Sequence, residues 1–177
     1  LSLRNPPSYS NSYATPSPRP MVSMSAFNDS GGGCFHNNCK ITMANGEKIP
    51  IKNLKKGDTI LSIDKNNNLV TANVVTIVET LISTKIREMV HLENGLIITP
   101  WHPIKIKDEW VFPNTIVTPT ITTCESMITL VLDNYHIGFI NEIPCIMLGH
   151  NFKQSILDHP YYGTSKVIED LKKNYGY

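Results

Sequence analysis

The sequence has no long apolar run and no excess of one charge. Nowhere do its hydrophobic residues approach the roughly 20 consecutive positions that a membrane-crossing helix requires, and no basic stretch leading into an apolar core opens the chain. No membrane partner is expected, and the cytoplasm is the expected compartment. With Leu1 in first place, a natural start is expected upstream, and compartment signals with it. Sixteen Lys and Arg face 15 Asp and Glu, a formal net charge of +1. No field draws in a phosphate backbone, so nucleic acid is not an expected partner.

Cysteine is also scarce. Four thiols, Cys34, Cys39, Cys124 and Cys145, are too few to build a disulfide framework in 177 residues, so the core must hold itself. Cys34 and Cys39 with His36 between them resemble half a zinc site, but Cys124 and Cys145 stand 21 apart and supply no matching short pair. Neither metal nor cofactor is expected. The hydrophobic fraction of 41% suits one domain with some extra chain, and a monomer is expected.

Residues 1–33 carry Pro6, Pro7, Pro16, Pro18 and Pro20 among Ser, Asn and Tyr, end on Gly31-Gly32-Gly33, and show neither strand nor helix period. They are read as a flexible N-terminal flank. From Cys39 the pattern changes to short β-branched segments broken by turns. Cys39–Met43, Thr59–Ile63, Leu69–Ile82 as one bent strand or two, Met89–Leu92, Leu96–Thr99, Pro103–Ile106, Trp110–Phe112, Ile128–Leu132, Ile137–Ile140 and Cys145–Leu148 all read as strands. Glu93-Asn94-Gly95 marks a hairpin. Only Val167, Ile168, Leu171 and Tyr175 fall on a helical face, with Thr164 or Ser165 as N-cap and Glu169-Asp170 in the early turns. The expected fold class is all-β with one short C-terminal helix.

Three places hold reactive side chains. Cys34 follows three glycines at the head of the β region, which puts the Gly33 carbonyl within covalent reach of its thiol. Gly33 adds no side chain to crowd a tetrahedral centre. Thr99-Pro100-Trp101-His102 offers a hydroxyl and an imidazole, the groups needed to hold an amide and to protonate its departing nitrogen. Gly149-His150-Asn151 offers an asparagine able to cyclise onto its own carbonyl, with a histidine to move the proton. Taken singly, each has a plainer reading: a small buried thiol, a strand-end histidine, a turn. Likewise His91 reads as cross-strand packing and His159 as a turn residue.

Their joint order resembles the Hint (hedgehog/intein) family. Gly33-Cys34-Phe35, Lys40–Gly46, Ile51–Leu54 and Lys56-Gly57-Asp58 are similar to its N-terminal signature. Leu96–Pro103 is similar to its central Thr-x-x-His block, and Leu132–Asn141 with Cys145–Asn151 to its two C-terminal blocks. Asp158–Thr164 and Val167–Leu171 further resemble the segment that follows the Hint unit in proteins joining it to a von Willebrand factor A domain. The resemblance implies a horseshoe-like Hint domain over 34–151, preceded by the 1–33 flank and followed by a 152–177 flank with the short helix.

It also implies self-processing. Cys34 would shift the acyl group of the Gly33–Cys34 bond from nitrogen to sulfur, with His102 protonating the leaving amine and Thr99 orienting or straining the amide. The substrate is the chain's own N-terminal flank, and water, a thiol or an amine is the expected acceptor of the resulting thioester. Departures from the family pattern keep alternatives open. Phe152 stands where inteins carry Cys, Ser or Thr, Asn141-Glu142 replaces a common Asn-Gly, and residues 152–177 are too polar to suggest a sterol site. Splicing in its usual form is not expected, and cyclisation at Asn151 stays an alternative. Thr129 occupies a place where many inteins carry an acid or thiol. With His136, Asp133 and Cys145, it completes the secondary candidates, and Ser155 is a remote acceptor. The rival reading is a Hint-like β module that has lost its activity and serves in binding.

Overall fold

The computed structural model describes residues 33–175, the side chain of Tyr175 excepted. The flank expected over 1–33 therefore lies outside the described residues up to position 32, as does the place of the Tyr175 ring on the helix. Thirteen strands run in order: β1 Phe35–His36, β2 Lys40–Thr42, β3 Lys48–Pro50, β4 Thr59–Ile63, β5 Leu69–Leu81, β6 Ile86–His91, β7 Ile97–Ile98, β8 Ile104–Ile106, β9 Glu109–Val111, β10 Thr120–Thr123, β11 Ser126–Leu132, β12 Ile137–Ile140 and β13 Ile143–Ile146. One helix, α1 Ser165–Tyr175, follows. Among the described residues they form a seven-stranded sheet, ordered β10-β6-β7-β1-β11-β5-β4, and a six-stranded sheet, ordered β3-β2-β12-β13-β8-β9.

The stretch expected as one bent strand or two is one strand, β5. Its first half pairs with β4 and its second half with β11, and the register slips where Val131 faces Thr76 but Leu132 faces Val74. Val75 is the extra residue, a bulge that bends the strand between its two partners. Asn94-Gly95 does close a hairpin: the Leu92 amide donates to Leu96 O at 2.9 Å, and Val90 pairs with Ile98. Two other hairpins turn on pairs with positive φ, Lys107-Asp108 and Asn141-Glu142. Such turns match the right-handed strand twist even without glycine.

What matters for chemistry is the place of β1, a two-residue strand held on both sides. Phe35 pairs antiparallel with Ile98 of β7 and with Ile128 of β11. One step back, the same registers put Cys34 across from Thr99 and Thr129. Behind it, a first core cluster gathers Phe35, Ile41, Ile60, Leu96, Ile98, Ile104, Leu130 and Ile140, all fully buried. A second cluster packs Cys34, Met89, Cys124, Met127 and Val131 against Tyr161, Val167 and Leu171 of the C-terminal segment. Thr164 caps α1, accepting the Lys166 amide at 3.3 Å. Gly149, with φ of +68°, lies so close beneath α1 that a Cβ there would stand 2.8 Å from Ile168 Cδ1.

Candidate active site

Thr99 closes on the backbone of Cys34 from both sides of the residue. Its Oγ1 accepts the Cys34 amide at 3.1 Å and donates to Cys34 O at 3.3 Å, and its own amide donates to the same carbonyl at 3.1 Å. The nitrogen of the Gly33–Cys34 bond is thereby fixed. His102 follows one turn later, its amide donating to Thr99 O and its ring packed 4.5 Å from that of Phe35. Nε2 donates to Ile146 O at 2.6 Å, so in the neutral ring Nδ1 is the unprotonated nitrogen. That Nδ1 is buried, has no hydrogen-bond partner among the described residues, and would stand 3.4 Å from a Cβ placed on Gly33. The free lone pair thus faces the junction.

Burial sets the protonation states. Desolvation lowers His102 to about 4, against smaller opposing contributions from the Ile146 and Cys34 backbone, so its ring is neutral near pH 7. The same effect pushes the Cys34 thiol up to about 12, partly offset by the Arg87 guanidinium and reinforced by Cys124. About one thiol in 10⁵ is ionised at neutral pH on that basis. Attack by this sulfur therefore requires a partner that removes its proton as the bond forms.

A chamber of about 40 Å³ lies at the junction and is walled by Gly33, His102, Thr129, Leu148, His150 and Tyr162, among others. It has room for a few waters. Thr129, 0% exposed on β11, presents Oγ1 with no hydrogen-bond partner among the described residues. A buried hydroxyl left unpaired costs stability and calls for a reason. His150 shares the chamber wall, and its Nδ1 accepts the Phe152 amide at 2.9 Å. Burial, then the neighbouring histidines and Lys153, lowers it to about 4.

Gly33, Cys34, Thr99, His102, Thr129 and His150 thus come together, and other candidates lie apart. Asn151 is exposed, with φ of 59°, its amide tied to Gly163 O. Asp133 is spent on Asn73, accepting its backbone amide at 2.8 Å and its side-chain amide at 2.9 Å. Cys145 is buried on β13 opposite Ile104, with its thiol donating to Ile143 O. His136 lines a larger neighbouring cavity, and desolvation lowers its pKa, with Asp133 opposing. Ser155 is exposed. His91 meets Thr122 of β10 at 2.7 Å, a cross-strand contact.

Sequence reasoning did not place His159 here. It lines the chamber, stacks on Tyr162 with centroids 4.2 Å apart, and accepts the Tyr161 and Tyr162 amides at Nδ1. No motif marked it.

The Vint family model, described as a Hint-domain, matches residues 33–176. The chain belongs to the Vint family of Hint domains. Among solved structures, this Hint domain is similar to the Ssp DnaB mini-intein variant M86, at 19% identity over 65% of this chain and 94% of the other, with a TM-score of 0.54. It is also similar to a DnaB intein from Synechocystis sp. PCC 6803, at 20% identity over 66% and 99% with a TM-score of 0.54. A bacterial intein-like domain from Clostridium thermocellum matches at 16% identity over 64% and 97%, with a TM-score of 0.52. The fold is thus the one shared with inteins, mostly β with a short C-terminal helix. No curated protein matches. No helix among the described residues is long and apolar enough to cross a membrane.

Proposed function

We propose that this Hint domain cuts its own backbone between Gly33 and Cys34. The observation carrying the reading is the convergence on one bond of a thiol, a hydroxyl clamp on the scissile nitrogen, and an imidazole nitrogen with a free lone pair. Cys34 Sγ attacks the Gly33 carbonyl carbon while its proton passes to His102 Nδ1. The carbon–nitrogen bond then breaks as the imidazolium returns that proton to the Cys34 nitrogen. An imidazolium held near 4 is a strong acid, suited to protonating an amine as it leaves. The product is a Gly33–Cys34 thioester, which water or an external nucleophile resolves, releasing the segment through Gly33.

Thr129 completes the reaction. Its hydroxyl, unpaired beside Gly33, donates to the carbonyl oxygen as charge builds there in the tetrahedral intermediate. Thr129→Val keeps the shape and removes the donor, and the cleavage rate is expected to fall by about 10²–10³-fold. Melting temperature should hold or rise, since the unpaired hydroxyl is gone. A variant that melts lower and cleaves at the parent rate would give Thr129 a purely structural part.

The bond after Asn151 is not part of this reading. Its side chain is exposed, and the segment beyond it is anchored by Leu157, Tyr161, Val167 and Leu171, all buried. The test is intact mass of the purified chain incubated with hydroxylamine or dithiothreitol. Two products meeting between residues 33 and 34 are expected, and a chain that stays whole would favour the inactive β module.

A further inference from the structure

The chamber at Gly33 is too small for anything but water or the tip of a larger molecule. Across the wall made by His150 and Leu157 lies a second cavity of about 750 Å³, within the range of small-molecule sites. His150 and Leu157 line both cavities, so a molecule bulkier than water seated in the second lies against the chamber at the junction. Three half-buried rings, Trp110, Tyr135 and Phe152, line this cavity, offering flat apolar faces for stacking.

Charge decides the rest. Lys65 and Lys105 lie on the cavity wall, the second with its ammonium 5.8 Å from the Trp110 ring centre. Asp64 is the carboxylate in the lining, but it accepts the Asn66 and Asn68 amides at 2.8 and 2.9 Å and the Asn68 side-chain amide at 3.1 Å. Those bonds keep it ionised, and Lys105 likewise donates to Asn67 Oδ1, so the lining sets two ammonium groups against one carboxylate. A ligand therefore meets a net positive wall, which favours an anionic group and opposes an alkylamine, since that would enter as an ammonium ion.

We infer that the acceptor of the acyl group is a thiol carried on a flat apolar body with an anionic group, bound in the cavity of Trp110, Tyr135, Phe152, Lys65 and Lys105. The inference rests on the thioester reading. The thiol sulfur attacks the Gly33 thioester carbon, the Gly33 carbon–Cys34 sulfur bond breaks, and the attacking thiol's proton ends on Cys34 Sγ. One thioester replaces another, with no change of oxidation state, and the N-terminal segment leaves as the new thioester.

The probes are 4-(mercaptomethyl)benzoate, the matching 4-(mercaptomethyl)benzylamine, and 2-mercaptoethanol, applied to the full chain with cleavage followed by intact mass. The benzoate thiol is expected to saturate and to exceed the other two in second-order rate by about tenfold or more. Trp110→Ala should shrink its advantage over 2-mercaptoethanol about tenfold. Lys65→Glu, at an exposed position that does not threaten folding, should erase or invert its advantage over the amine. Equal second-order rates for the three, without saturation, would overturn the inference while leaving the thioester intact, as would a preference that survives both substitutions. A chain that neither thiols nor hydroxylamine cleave would overturn the thioester reading itself.

Discussion

Replacing Cys34 with alanine should abolish cleavage at Gly33, and replacing His102 with glutamine should slow it by about 10²–10⁴-fold. Glutamine is chosen because its side-chain amide can donate to Ile146 O as Nε2 does, while it brings no basic nitrogen to the junction. Hydroxylamine-driven cleavage followed by intact mass reads both effects, and a His102→Gln chain cutting at the parent rate would remove the proton relay from the mechanism. The pH dependence follows. In the proposed mechanism His102 works as the neutral ring, so the rate, corrected for the nucleophile's own ionisation, should stay level through pH 6.5 and drop only near 4. The stability consequence has the same origin. His102 and His150 titrate near 4 when folded but near 6.5 when unfolded, so the unfolded chain binds more protons between those values. Stability is full above 6.5 and declines as pH falls toward 4. Thermal melts across that window should show the decline, and His102→Gln should make it shallower.

Truncating Tyr161 to alanine should cost about 3–5 kcal/mol. The residue is 0% exposed in the cluster that also holds Cys34, and its hydroxyl donates to Asp170 Oδ2 at 2.8 Å on α1. At this chain length, the loss corresponds to a fall of roughly 10 °C in melting temperature. Tyr161→Phe keeps the ring and removes only the hydrogen bond, and should cost about 1 kcal/mol. Near-equal melting of the two variants would mean that α1 is pinned by the hydroxyl and not by the ring.

Local patterns were well read wherever one segment carries its own signal. Thr59–Ile63 and Ile137–Ile140 coincide with β4 and β12, and Asn94-Gly95 turns where its chemistry says it should. The family was legible because four motif blocks recur in order, a coincidence far rarer than any block alone. Short strands without a pattern escaped. β1 has two residues, β3 is bounded by Pro50, and β10 is a threonine-rich edge whose Ile121 faces solvent. The meeting of Cys34 with Thr129 depends on register between segments 95 positions apart, and no periodicity in either segment encodes it. The packing of Leu157 and Tyr161 was equally silent, since single apolar residues in a polar stretch have no period.

The double pairing of β1 with β7 and β11 starts at Phe35 and does not depend on the Gly33–Cys34 bond. In the proposed reaction, the amine freed as the acyl group moves to sulfur is the Cys34 nitrogen that Thr99 Oγ1 holds, a few bonds from the carbon it would leave. At such effective molarity, resealing competes with escape. On that reading, the direction of the process would be governed by how quickly a trapping molecule arrives and the severed segment drifts away, and the domain would be a reversible latch whose opening is decided by its surroundings.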